Sequence, residues 1–117
     1  MSPRTWQERI EDILTCAQNI QVFTAVMTFE SFLKDPRTIR AVAFEFTTIG
    51  ESAHVIPVEI QERYPEVPWG KMQGIRNVLV HEYFRLDEEI LWKAAQEDIP
   101  RLISALKKII LSENKLK

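Results

Sequence analysis

Arg76-Asn77-Val78-Leu79-Val80-His81-Glu82-Tyr83 places a permanent cation, one of only two histidines and a phenol within eight residues. Arginine binds a phosphate bidentately at any physiological pH, and histidine exchanges a proton near neutrality. Arg76 and His81 together therefore suit phosphodiester chemistry that uses no metal. Asn77 and His81 stand at i and i+4, so the amide can hold the imidazole in one orientation, while Arg76 and Tyr83 align at i and i+7. Five residues of straight helix turn through roughly 500°, which leaves Arg76 and His81 about 140° apart around the axis. One regular helix cannot aim both at one atom. Either the helix loosens near His81, or two chains meet and share a composite site.

The elements that must carry these groups are helical. Ile10, Ile13, Ala17, Ile20 and Met27 keep helical spacing, which predicts a first amphipathic helix over about 4 to 27. A short turn of helix at Phe29 to Leu33 follows. Asp35 with Pro36 predicts the cap and first position of a second long helix, whose buried face is Ile39, Val42, Ala43, Phe46, Ile49, Ala53 and Ile56, closed by Pro57. A brief helix from about Val58 to Arg63 leads to the turn Tyr64-Pro65-Glu66-Val67-Pro68-Trp69, where Pro68 can start the motif helix. In that helix Met72, Ile75, Val78 and Leu79 mark the buried stripe, the polar groups stand off it, and Gly74 admits a close neighbour. Asp87 caps a last helix to about Leu111, with Ile90, Ala94, Leu102, Leu106 and Ile109 inward and a kink at Pro100. The expected product is all-α: one domain over 1–117, an antiparallel four-helix bundle with a short accessory helix.

Composition narrows the function. At 117 residues and 45% apolar content the chain suffices for one modest core. No apolar run approaches a membrane span and the start lacks a signal peptide's hydrophobic stretch, so a cytoplasmic protein without membrane contact is expected. Cys16, the single cysteine, excludes an internal disulfide and a cysteine-based zinc cluster and reads as a small core residue. A net charge of −2 excludes gripping nucleic acid by bulk charge. Arg37, Arg40, Arg63, Lys71, Arg76 and Arg85 leave a local basic patch open, though scattered solvated charges are the commoner outcome. Glu51-Ser52-Ala53-His54 has the Glu-x-x-His spacing of di-iron bundles, but such sites need two such motifs and two more glutamates. No metal or cofactor is expected, and Glu51 reads better as a group that orients Arg76. Trp6, Trp69 and Trp92 read as core or interface residues.

Ile49-Gly50-Glu51-Ser52-Ala53, Tyr64-Pro65, Pro68-Trp69, Ile75 through Phe84, Asp87 and Asp98-Ile99-Pro100 resemble the successive signatures of HepT-like toxins of the HEPN superfamily. The resemblance covers nearly the whole chain and centres on R-x-x-x-x-H-x-Y at Arg76, His81 and Tyr83. It implies a HEPN-like helical bundle that dimerises so that two motif copies line one cleft. The implied activity is that of a metal-independent endoribonuclease, the toxin of a type VII toxin-antitoxin system. The implied partner is an MntA-like minimal nucleotidyltransferase antitoxin that attaches AMP to Tyr83. The chemistry agrees: RNA carries a nucleophile in its 2′-OH and needs a base, a cation for the phosphorane and an acid, roles that His81 and Arg76 can fill with Tyr83, Asn77 and Glu51 in support. The alternative is a module of the same fold that binds RNA or a nucleotide, or heterodimerises, without cutting.

Overall fold

The computed structural model describes residues 4–81 and 87–115, with the side chains of Val80, His81 and Lys115 excepted. Four of the helices, α1, α2, α3 and α6, begin where a side chain supplies an acceptor for their orphan N–H groups. Thr5 caps α1 (Trp6–Thr24) in a reciprocal box with Glu8, and Thr28 does the same with Ser31 for α2 (Phe29–Leu33). Asp35 accepts from the Thr38 N–H at the head of α3 (Pro36–His54), with Pro36 in the first turn. Pro57 precedes α4 (Val58–Arg63), and the Gln61 amide donates to the Ile56 carbonyl at 2.9 Å, tying α4 to the end of α3. The proline-bounded turn is fastened by the Trp69 indole N–H, which donates to the Tyr64 carbonyl at 3.0 Å. It delivers the chain into α5 (Trp69–His81).

Asp87 caps α6 (Glu88–Lys93), which continues through a π-helical stretch at Ala94–Asp98 into α7 (Ile99–Lys115). The kink expected at Pro100 is resolved by this stretch. Proline offers no N–H to the carbonyl four residues back, and the wider turn re-pairs the backbone, with the Ile99 N–H reaching the Ala94 carbonyl.

Contacts place α3 between α1 and α5, with α7 on the other flank of α1. This is the expected all-α bundle of four main helices, accompanied by two short ones, α2 and α4. Ile10, Ile13, Ile20, Ile49, Leu106 and Ile109 are essentially inaccessible, and each such side chain contributes about 1.5–3 kcal/mol by burial. Phe32 anchors α2 under Trp92, ring centroids 5.2 Å apart. Cys16 is a buried core residue, and burial together with the nearby Glu45 carboxylate pushes its thiol up to about 12. Among the described residues no helix is long and apolar enough to cross a membrane.

Two inward assignments fail. Ile90 is exposed, and its neighbour Leu91, about 100° round the helix and in register with Ala94 and Ala95, takes the core position. Val78 is 46% exposed because it lies about 120° from Met72 around α5, whereas Leu79, seven residues from Met72, returns to the buried face.

Candidate active site at the α3–α5 crossing

Arg76, expected off the buried stripe, is four residues from Met72 and stands at the edge of the face that α5 turns towards α3. Gly50 of α3 makes this possible. A Cβ added at Gly50 would stand 2.8 Å from the Met72 carbonyl oxygen and 2.8 Å from the Arg76 Cγ, with the Arg76 Cβ closer still. The Arg76 stem thus lies directly on the Gly50 backbone. Gly74, expected to be the point of close approach, has no described atom within 4 Å of where its Cβ would be. The signal for Gly50 was in the sequence. A glycine inside a long helix costs about 1 kcal/mol relative to alanine, and such a cost needs a packing reason.

With its stem fixed, the Arg76 side chain is 35% exposed and reaches Glu51, its expected partner, and Asn77, which was expected to hold the His81 imidazole instead. It donates through Nη1 to the Asn77 Oδ1 at 3.0 Å and stands 3.9 Å through Nη2 from Glu51 Oε1 on α3. Arginine has no acceptor, so this bond fixes the Asn77 amide with its oxygen towards Arg76. The Nε of Arg76 is buried and has no hydrogen-bond partner among the described residues. The outer guanidinium nitrogens, with one long ion pair among the described residues, retain capacity for an incoming anion.

The structure therefore brings together Arg76, Asn77 and Glu51. His81 is the last residue of α5, which stays α-helical through it, so the backbone preserves the turn of about 140° from Arg76. Tyr83 and Arg85 lie outside the described residues. The remaining basic side chains do not merge with Arg76 into one patch. Arg63 pairs with Glu113 at 3.3 Å and Lys71 with Asp98 at 2.8 Å, while Arg37 and Arg40 are exposed in the first half of α3.

Further along the same crossing His54 of α3 meets Gln73 of α5, Nδ1 to Oε1 at 3.2 Å. Nothing in the spacing of either helix alone signals this contact. Among the described residues no three His, Cys, Asp or Glu side chains gather as a metal-ligand set, the Glu51-x-x-His54 pair included. Trp69 is buried and Trp6 and Trp92 are partly so, each packed on the core as expected. A hollow of about 300 Å³ adjoins Glu51 on its α1 side, where Arg9, Asp12, Thr15, Thr48 and Ser52 give it a polar wall. A second cavity, about 340 Å³, lies between α5 and α6 and is mainly apolar, with Ile75, Val78, Leu79, Ile90 and Leu91 in its wall. Among the described residues its charged lining groups are Lys71 and Asp87.

Comparison with known proteins agrees with this helical frame. The ribonuclease HepT-like family model matches residues 13–109. A probable ribonuclease HepT of Thermococcus cleftensis is 38% identical over 106 residues, covering 91% of this chain and 96% of the relative. A putative RNase of Methanocaldococcus jannaschii is 35% identical, covering 87% and 94% respectively. One of Caldanaerobacter subterraneus is 34% identical, covering 96% and 97%. No solved structure matches the chain. The chain belongs to the HepT-like family of the HEPN superfamily.

Proposed function

We propose that this chain, folded as one HEPN-like domain over 1–117, is the toxin of a type VII toxin-antitoxin system. Its activity is that of a metal-independent endoribonuclease acting on cytoplasmic RNA. The observation that carries the reading is the condition of Arg76: its stem is clamped on Gly50, its side chain is partly exposed, and its one ion pair among the described residues is long. That is how a cation waiting for a phosphate is built. The names of the relatives, ribonuclease and RNase, point to RNA as the source of that phosphate.

In the proposed reaction a His81 imidazole takes the proton of the ribose 2′-OH, whose oxygen attacks the adjacent phosphorus. Arg76 stabilises the charge of the phosphorane. A protonated imidazole then gives its proton to the departing 5′-oxygen, leaving a 2′,3′-cyclic phosphate and a 5′-hydroxyl. Because α5 keeps its helical path to His81, the 140° divergence is best met by a homodimer in which Arg76 and His81 of two chains face one cleft. Two His81 side chains then divide the acid and base work. Asn77 and Glu51 hold the guanidinium, and Tyr83 positions the phosphate.

Control follows from the same cleft. A nucleotidyltransferase antitoxin would direct the Tyr83 oxygen onto the α-phosphorus of ATP, expelling pyrophosphate and leaving AMP on the phenol. The added phosphate can pair with Arg76 while the adenine occupies the path of RNA. The test is incubation of the purified protein with total RNA in EDTA, beside a His81→Ala control, before and after treatment with a cognate nucleotidyltransferase and ATP. Cleavage by the wild type alone is expected, lost as AMP mass appears on the Tyr83 peptide. Inhibition without an adduct, or an adduct on the buried Tyr64, would overturn the proposed control.

A further inference from the structure

The polar edge of the α3–α5 crossing does not stop at Arg76. Glu51 stands across from Arg76, and three residues further along α3 His54 stands across from Gln73, three residues earlier on α5. The two pairs run in opposite senses along the two chains, as antiparallel helices require. Gly50 fixes their register by pressing the helices together at Arg76 and Met72. The His54–Gln73 pair thus sits about one helical turn from the Arg76–Glu51 pair, on the order of 5 Å along the axis. An RNA strand whose phosphate rests on Arg76 brings a neighbouring nucleotide over that distance.

We infer that His54, braced by Gln73, is the platform on which the nucleobase next to the cleaved phosphate stacks, an inference that rests on the proposed ribonuclease activity. His54 is exposed, and its one side-chain hydrogen bond among the described residues is made through Nδ1. The Gln73 Oε1 accepts, so Nδ1 carries the proton in this arrangement, leaving Nε2 and the faces of the ring to a ligand. Gln73 is a positioning residue: its amide limits rotation of the imidazole. Single-stranded RNA is recognised mainly in this manner, by bases stacked on aromatic or imidazole rings and touched at their edges by amides. A lone exposed histidine would offer the same ring without a fixed plane. The pairing across two helices supplies one.

The inference is tested with a short RNA of defined cut site carrying a single abasic ribonucleotide on the 5′ or the 3′ side of the cut. For the wild type, removal of one of these two bases raises KM about fivefold or more, as loss of one base–aromatic stack does, with kcat little changed. In His54→Ala, checked for native helicity by circular dichroism, the intact and abasic RNAs should be cleaved alike. His54→Phe should keep most of the discrimination, because a ring remains, and Gln73→Ala should keep part of it. An abasic penalty equal in wild type and His54→Ala, or no penalty at either position in the wild type, would overturn the inference while leaving the nuclease itself in place. A wild type that cuts no RNA would remove the activity on which it rests, and the inference with it.

Discussion

Among the described residues two junctions between helices set an arginine beside a glutamate, and they treat the pair in opposite ways. At the α4–α7 junction Glu113 receives both Arg63, at 3.3 Å, and the Tyr64 hydroxyl on one carboxylate oxygen, and it is largely hidden. Burial, seconded by that carboxylate, also raises the Tyr64 phenol above its ordinary pKa, so it stays a donor. At the α3–α5 crossing Glu51 is mostly in solvent, 3.9 Å from a guanidinium whose buried Nε has no partner among the described residues. The first arrangement ties one helix to another. The second spends packing on placing a cation and leaves part of its bonding capacity unused, which is a cost to stability that function must justify.

The largest effects should come from breaking the second arrangement at its reactive groups. Arg76→Ala should lower kcat/KM for RNA about 10²–10³-fold, as loss of a group stabilising transition-state charge does, and His81→Ala about 10²–10⁴-fold. Arg76→Ala should alter stability by no more than about 1 kcal/mol, since its polar contacts are few and partly solvated. Loss of activity accompanied by loss of the fold would make Arg76 a structural residue like Arg63.

Gly50→Ala attacks the clamp instead of the charge. The new methyl group meets backbone at the Met72 carbonyl as well as the Arg76 stem, so the helices must part, at a cost of about 1–3 kcal/mol in denaturant melts. Cleavage should fall with it, because the guanidinium moves with α5. Gly74→Ala, with no described atom near, should instead stabilise the helix by about 0.5–1 kcal/mol. Equal effects at the two glycines would refute the assigned crossing point.

Alkaline titration reads the buried groups apart from the site. Cys16 has its pKa raised from 9.0 to about 12 by burial and Glu45, so the folded state holds this proton where the unfolded chain releases it. The resulting stability is complete below about pH 8.5 and is lost as pH rises towards 12. Tyr64, also raised, acts in the same direction above its ordinary value of 10.0. Unfolding midpoints should therefore be level through pH 8 and fall above 9, and Cys16→Ala should make the fall shallower. An unchanged slope would place the thiol in solvent. The smallest effect belongs to Lys71→Ala. Its bond to Asp98 is short, 2.8 Å, yet the lysine is exposed, and such pairs contribute about 0–1 kcal/mol.

The helices were legible because their boundaries are written in local chemistry. Asp35 with Pro36, Pro57 and Asp87 each act within a turn of where they stand, and the observed elements begin at or beside them. What depends on two helices at once was harder to read. Spacing sets Arg76 off the stripe of Met72, Ile75, Val78 and Leu79, but only the crossing of α3 shows that its stem packs at the edge of that stripe. Gly74 was chosen over Gly50 for close packing because a single helix shows that a glycine is present, not which neighbour crosses it. Gln73 acquired a role only when α3 brought His54 to it. Of the site itself, the sequence named Arg76, Asn77 and Glu51, which the fold gathers, while the functional roles of these residues and of His81 and Tyr83 rest on chemistry yet to be measured.

The most direct measurement compares two synthetic RNAs, identical except for one 2′-deoxyribose at the cut, incubated with the purified protein in EDTA. The account predicts that the all-ribose strand is cleaved to a 2′,3′-cyclic phosphate or its hydrolysis product, and that the substituted strand survives at that bond. Cleavage of both strands at similar rates would contradict an internal nucleophile served by Arg76 and His81.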